Sequence, residues 1–370
     1  MRPFQRNAKT NRGFSLVELM VALTLGLIIL SAVSMLFVSS KKTYTSQDRQ
    51  ARLQENSRFA MHFIVKDLRL AGYYGCVDEI NPDTVNVTLN NPTGFVNNVQ
   101  IPLEGLNNAT GTWYPSGDTT LPPGILPGTD AVTVRSADAT SSIYIEAEMP
   151  NSSAVLDVNS VAGLSVDDII MVSDCASADV MQVTQVINQG TGTLKVQHNP
   201  GGASPPGNST QKLSKAYSPS TDGQGTRVMK FTTKQYFIAT GASGNPALFR
   251  KDNNAAAVEL VDGVENMQIL YGKDTDGDKV PNIYLAAGAA GAAGLGLQSA
   301  ADWSSVVSVR IGILARTVSD KDTDVDTNSY DVDGNCAIAA PKTDPCYETP
   351  AQNDHHKRRV FQAVVHFRNL

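Results

Sequence analysis

The feature that most constrains this 370-residue chain is a long apolar run close to its amino terminus. The run covers residues 14–38 and is interrupted by one carboxylate, Glu18, and by a few Ser and Thr residues. A helix rises about 1.5 Å per residue, so this run can cross the roughly 30 Å hydrocarbon core of a bilayer. Four basic residues and no acidic residue precede it: Arg2, Arg6, Lys9 and Arg12. By the positive-inside rule they stay in the cytoplasm, so the chain after Ser39 is expected to lie outside it.

A cleaved secretory signal is the alternative interpretation of this segment. Such a signal has an apolar core of about 7–15 residues, and its cut site follows that core. Here the apolar run is longer, and a glycine, Gly13, stands before it. This order favours a cut ahead of the apolar run, which would leave the membrane helix on the mature protein.

Residues 13–18 (GFSLVE), together with the basic leader, resemble the class III signal of type IV prepilins and type II secretion pseudopilins. The resemblance implies that the prepilin peptidase cleaves between Gly13 and Phe14 and that Phe14 becomes N-methylated. It also implies that Glu18 pairs with the positive amino terminus of a neighbouring subunit during assembly. The alternative is a carboxyl group near the membrane interface that protonates or snorkels. An intramembrane carboxylate costs about 2.5–3.5 kcal/mol on insertion scales, which by default points to a function.

The helical pattern continues beyond the membrane segment. Between Lys41 and Leu70 the sequence contains no Pro or Gly, and Gly72 is expected to end the helix. Apolar residues recur there with helical spacing and form one stripe: Leu53, Ala60, Phe63, Ile64, Leu68 and Ala71. The pattern predicts one helix of about 55 residues, with its first half in the membrane and its second half packed on a globular head.

Two further stretches resemble the PilW family of minor pilins. Residues 52–60 (RLQENSRFA) lead into residues 67–76 (DLRLAGYYGC), and the end of the chain carries a similar RRVF and RNL pattern. Among pseudopilins, the J-type minor subunits of type II secretion are nearest in architecture. The resemblance covers residues 1–76 and the carboxyl-terminal part, whereas the middle of the chain is compatible in composition only.

Charge and cysteine content restrict the partners and the compartment. The formal net charge is −6, and the leader carries four of the positive charges. Loss of the leader therefore makes the chain more negative, and a negative chain argues against direct nucleic-acid binding. An even number of cysteines outside the cytoplasm indicates disulfides, and there are four: Cys76, Cys175, Cys336 and Cys346. Of the three connectivities, Cys336–Cys346 is favoured because these residues flank a short loop, and Cys76–Cys175 then follows by elimination. A zinc site is disfavoured because no CxxC spacing occurs.

After Cys76 the pattern changes from helix to strand. Residues 77–130 and 199–226 are rich in turn formers and predict loops with short strands. Runs of β-formers predict strands at 132–135, 143–145, 169–172, 180–183, 194–196, 229–239 (continuing toward 248–250), 306–318 and 359–370, and residues 258–271 are expected to be an ordered stretch that ends in a strand. The strand at 359–370 is expected to close the sheet.

The predicted fold class is α+β and pilin-like, with a long N-terminal helix, transmembrane in its first half, packed on an antiparallel β-sheet head with long loops. Four segments are expected along the chain. They are the cleaved leader (1–13), the transmembrane part of the helix (14–38), its periplasmic half (39–75) and the β-rich globular head (76–370).

Three acidic residues alternate around a glycine in the head: Asp274, Asp276 and Asp278. Their oxygens could turn onto one hard cation, which suits Ca²⁺. The loop is not an EF-hand, because its glycine is at the fourth position and its twelfth residue is Leu285. The alternative is a solvated acidic turn. No GxSxG or HExxH arrangement occurs, so neither an enzyme nor a required cofactor is expected.

The resemblance implies a minor pilin that inserts in the inner membrane, with its amino terminus cytoplasmic and its head periplasmic, and then enters the extracellular pilus. Its implied partners are other minor pilins, the major pilin, the prepilin peptidase, the inner-membrane assembly machinery and the lipid bilayer. The implied role is to prime assembly of a pilus used for twitching motility, adhesion and DNA uptake, with a place at the pilus tip. The alternatives are a J-type pseudopilin of type II secretion and a calcium-dependent adhesin displayed on a pilin helix.

Overall fold

The computed structural model describes residues 13–77, 83–109, 111–188, 194–202, 204–219, 225–290, 296–319, 325–334, 336 and 354–367. The chain divides into two compact units, Met1–Arg52 and Leu53–Leu370. The first unit contains one element within its described residues, the amino-terminal part of a helix. The second contains the last turns of that helix and all the strands.

Helix α1 runs from Leu16 to Leu68. The long helix expected from the sequence is therefore present, and it ends close to the expected stop at Gly72. That glycine has a φ of 71°, a left-handed conformation that favours glycine, and its amide donates to the carbonyl of Arg135. The buried positions of α1 all lie in its last part: Leu53, Ser57, Ala60, Ile64, Asp67 and Leu68. Phe63, expected in the same stripe, is only partly buried against the core.

The strands follow in chain order. They are β1 Val85–Val87, β2 Leu103–Leu106, β3 Trp113–Tyr114, β4 Ala131–Ala137, β5 Ile143–Tyr144, β6 Leu156–Asp157, β7 Ile169–Ser173, β8 Ala178–Gln182, β9 Gln185–Asn188, β10 Leu194–Gln197, β11 Arg227–Thr240, β12 Pro246–Asp252, β13 Val258–Asp262, β14 Val264–Lys273, β15 Ile283–Leu285, β16 Val306–Arg316 and β17 Arg358–His366. A short helix, α2, spans Ala300–Trp303 between β15 and β16.

Within the described residues these strands form three sheets. The largest has ten strands and contains the order β1-β8-β7-β11-β4-β2-β3, with β5 and β12 joined to β11 and β13 to β12. The others are β6-β10-β9 and β15-β14-β16-β17. The α+β fold with antiparallel sheets is confirmed, although β1 and β8 run parallel. The final strand pairs with β16 at the end of the four-stranded sheet.

One predicted segment, residues 258–271, forms two strands because the chain turns at Gly263. This residue has a φ of 82°, and a Cβ placed on it would lie 2.7 Å from the carbonyl oxygen of Arg316. Only glycine allows both this conformation and this close approach. The turn sets β14 beside β16, so it positions the four-stranded sheet.

Four hydrophobic cores lie among the described residues of the second unit, and the two largest are named here the helix-side core and the second core. The helix-side core contains Ala60, Ile64 and Leu68 of α1 together with residues from both the ten-stranded and the four-stranded sheets. The second core lies among residues 143–228 and is built from β5 to β8, β10, the start of β11 and the loop that carries Tyr217. Strand β11 contributes to both cores, since its first residues pair with β7 and its later residues with β4 and β12.

Candidate functional site

Helix α1 begins with a reciprocal pair of hydrogen bonds between Ser15 and Glu18. The Ser15 amide donates to a Glu18 carboxylate oxygen at 3.1 Å, and the Glu18 amide donates to the Ser15 hydroxyl oxygen at 3.1 Å. This is the capping-box arrangement, which satisfies amide groups that have no partner within the helix. The carboxylate of Glu18 therefore lies in the first turn of its own helix, three residues after Ser15.

The first part of α1 is exposed along its whole apolar length. Among the described residues, α1 is the one helix that is both long enough and apolar enough to cross a membrane. Phe14 is 87 % exposed, and the large apolar side chains that follow it to Val38 are exposed as well. Such a surface is unfavourable in water and requires lipid or other apolar helices around it.

The last turns of α1 are held to the head by a buried polar contact that sequence reasoning missed. Asp67 accepts a hydrogen bond from the hydroxyl of Tyr236 and forms an ion pair of 2.8 Å with Lys234, both on β11. Burial raises the pKa of Tyr236, and the negative charge of Asp67 raises it further. The contact orients the helix on the sheet. Its only signal in the sequence was a carboxylate adjacent to the apolar stripe, beside Leu68.

A disulfide joins Cys76 to Cys175. The pairing expected by elimination is therefore confirmed. It links the segment after α1 to the turn between β7 and β8, 99 residues further along the chain. Cys346 lies outside the described residues, so the Cys336–Cys346 pairing stays a prediction.

The acidic turn at residues 274–278 brings its three carboxylates together. Oxygens of Asp274, Asp276 and Asp278 lie within 4.8 Å of one another. Asp274 accepts hydrogen bonds from the amides of Gly277 at 2.7 Å and of Lys279 at 2.8 Å, and the first of these contributes most to lowering the pKa of its carboxyl. The chain itself thus organises this turn, and the calcium site stays a prediction.

A second buried charge cluster, centred on Arg358 of β17, was also missed by sequence reasoning. Its side chain is 1 % exposed and forms ion pairs with Glu265, Asp326 at 3.1 Å and Asp354. Burial by itself would lower the pKa of Arg358, but the hydrogen bonds to Glu265 and Asp354 raise it. The pKa of Asp354, which burial would raise, is lowered to about 2 chiefly by its hydrogen bond to Arg358. The cluster joins two loop segments to the four-stranded sheet.

A third polar cluster lies inside the ten-stranded sheet. Arg135 of β4 and Glu104 of β2 form an ion pair of 3.1 Å, and both side chains are fully buried. Burial raises the pKa of Glu104, while the charge of Arg135 opposes this rise. Arg135 also donates to the carbonyl oxygens of Phe95 and Ile101, so this cation holds a loop against the sheet.

Two protein-family models match this chain. The model of the prokaryotic N-terminal methylation motif matches residues 8–34, and the model described as type IV pilus-assembly protein W matches residues 235–369. The first match covers the leader and the start of α1, and the second covers β12 to β17 with the later part of β11. No curated protein and no solved structure matches the chain.

Proposed function

We propose that this chain, which the two family matches support as a PilW-type minor pilin of the type IV pilus, primes pilus assembly and occupies the pilus tip. Neither family is an enzyme family, which agrees with a structural role. The observation that carries the tip position is the second core. This core lies among residues 143–228, outside the segment that the pilus-assembly model matches, and it enlarges the head. A bulky head is difficult to repeat along a shaft.

The proposed route begins with membrane insertion through residues 14–38. The prepilin peptidase then cleaves between Gly13 and Phe14, and Phe14 is N-methylated. The exposed apolar face of α1 supports the bilayer as its first surroundings and other pilin helices as its later ones. In this orientation the head lies in the periplasm before it reaches the extracellular filament.

The capping box refines the proposed role of Glu18. Its carboxylate already accepts a hydrogen bond from the Ser15 amide, so this charge has a partner before assembly. The positive amino terminus of a neighbouring subunit would then add to or replace that contact. Major and minor pilins that carry the same signal are the proposed partners, together with the inner-membrane assembly machinery.

The experiment measures intact mass and amino-terminal sequence of the chain from membranes with and without the prepilin peptidase. We expect a chain that begins at methylated Phe14 only when the peptidase is present. Immunogold labelling of the head should then mark filament ends. Label spread along the shaft would overturn the tip position, and an uncut chain would overturn the processing step.

A substitution at Glu18 tests the assembly contact separately. Glu18→Ala should leave cleavage intact and reduce the number of pili strongly, because cleavage depends on Gly13 whereas assembly depends on the carboxylate. Ser15→Ala is the matched control, since it removes the hydroxyl part of the capping box and keeps the carboxylate. Equal numbers of pili in the Glu18→Ala strain and in the wild type would contradict the proposed pairing.

A further inference from the structure

Strand β17 is a long and regular strand at the end of a sheet. Among the described residues the four-stranded sheet ends with it, in the order β15-β14-β16-β17. Its pairing with β16 extends over Arg358–His366 without a register shift, whereas the pairing of β14 with β16 contains two shifts. The strand contains no proline. It therefore lacks the bulges and prolines that usually prevent a sheet edge from pairing further.

The register shows which backbone groups of β17 face away from its sheet. At one end the amide of Phe367 donates to the carbonyl of Val307, and at the other the amide of Thr317 donates to the carbonyl of Lys357. Hydrogen-bonded positions alternate in an antiparallel pair, so the odd-numbered residues of β17 bond to β16. The amides and carbonyls of Val360, Gln362 and Val364 therefore point outward.

The side chains of β17 indicate what kind of strand could pair there. The strand carries two arginines and one histidine and no acidic residue. Arg358 is neutralised by three carboxylates of its own head, while Arg359 and His366 are exposed. A second copy paired through the same strand would bring no acidic residue, so it would offer the exposed Arg359 no partner of opposite charge. An incoming strand with acidic residues has the complementary charge.

We propose that the outward edge of β17 accepts an extended, acid-bearing strand from another pilin subunit. The incoming strand hydrogen-bonds to the backbone of Val360, Gln362 and Val364 and so extends the four-stranded sheet. Affinity comes from main-chain hydrogen bonds, and selection comes from the basic side chains. This inference rests on the proposed function, because it takes the partner from the same filament.

The test places a photo-crosslinking amino acid at His366 of the full-length chain in cells with a complete pilus machinery. We expect an adduct whose partner peptide, identified by mass spectrometry, is an acid-bearing segment of a protein with its own prepilin signal. Val364→Pro removes an outward amide and leaves the bonds to β16 in place, so it should abolish the adduct. Val364→Ala is the matched control and should retain it.

A charge reversal guards against a folding defect. Arg359→Glu keeps every backbone amide and should also weaken the adduct, and the melting temperature of each purified full-length variant is measured in detergent. The inference would be overturned if no adduct formed, or if the partner were a second copy of this chain or a protein without a prepilin signal. It would also be overturned if the adduct persisted in both Val364→Pro and Arg359→Glu. Amino-terminal processing and pilus number are scored in the same cells, so a failure of the proposed function is recognised independently.

Discussion

The helix-side core and the second core pack different parts of the same chain. The helix-side core joins α1 to two sheets, and most of its strands lie in the segment matched by the pilus-assembly family model. The second core lies among residues 143–228, outside both matched segments. The comparison indicates that most strands packed against α1 lie in the segment that matches the family model. The lobe formed by residues 143–228 is joined to the helix-side core through β11, one disulfide and a further core that packs Tyr74 and Ala137 against β7 and β8.

The buried titratable groups of the two regions also differ. Asp130, at the start of the strand that lines the helix-side core, accepts hydrogen bonds from the amides of Asn108 at 2.8 Å and Ile269 at 2.7 Å. His198, beside the second core, has one ring nitrogen bonded to the carbonyl of Ala154, while its other nitrogen is buried without a hydrogen bond within the described residues. One region thus buries an acid and the other buries a base, and their responses to pH should have opposite sign.

The largest expected effect comes from a cavity in each core. Ile64→Ala and Leu156→Ala both truncate a fully buried side chain, which costs about 2–5 kcal/mol. We expect both variants to lower the free energy of unfolding in urea, but Ile64→Ala should reduce pilus number much more, because Ile64 docks the helix. Equal pilus numbers at equal loss of stability would remove the functional distinction between the cores.

The next effect concerns the link between the regions. Replacing Cys76 and Cys175 together by serine should lower stability by about 2–4 kcal/mol, because the bridge no longer restricts the unfolded chain. Amide hydrogen exchange should quicken most near β7 and β8. The matched control is Ser173→Ala, at the end of β7 next to the turn that carries Cys175, which leaves the bridge intact. Uniform exchange in the double variant would show that β11 and the core around Tyr74 hold the lobe without the bridge.

The third expected effect is the pH dependence of Asp130. Burial raises the pKa of its carboxyl from 3.8 to about 7, so the fold favours the protonated form. Its contribution to stability is therefore full below about pH 4 and is lost as the pH rises to about 7. Asp130→Asn should flatten stability over that window, at a cost of about 1 kcal/mol for one imperfect hydrogen bond. Thermal unfolding across pH 4–8 measures both the change of stability with pH and the cost of the substitution. If stability changed with pH as steeply in the variant as in the wild type, the pH dependence would not come from Asp130.

The smallest effect should come from His198, with the opposite sign. Burial lowers the pKa of its imidazole from the ordinary value of 6.5, so the fold favours the neutral form. Its contribution is present above that value and is lost as the pH falls below it. Amide exchange within residues 143–228 should quicken in mild acid, and His198→Gln should suppress this response. Identical acid profiles for the variant and the wild type would assign the response to another group.

Several elements were predictable because their signals are local. The apolar run of α1 and the end of the helix near Gly72 both depend on residues close together in sequence. Most strands also formed where β-branched residues alternate or cluster. The Cys76–Cys175 bridge followed from counting, since an assumed first pair left one choice.

Other features had no local signal. The contact of Asp67 with Tyr236 joins residues 169 positions apart, and Arg358 and Glu265 are 93 positions apart. A lone carboxylate near an apolar stripe or an arginine in a strand is compatible with many partners. The split at Gly263 depends on how closely the carbonyl of Arg316 approaches it, which periodicity does not reveal.

By itself, the sequence determined the membrane-length helix, the N-terminal methylation motif that begins it and the strand-rich head, because hydrophobic periodicity and short motifs act over neighbouring residues. Among the described residues, only the tertiary structure decided the division into three sheets, the parallel pair of β1 and β8, and the place of β17 at the end of its sheet. It also decided which charges are buried together. Strand order and charge pairing depend on contacts between distant residues, whose free energies are realised only when the whole head packs around its cores.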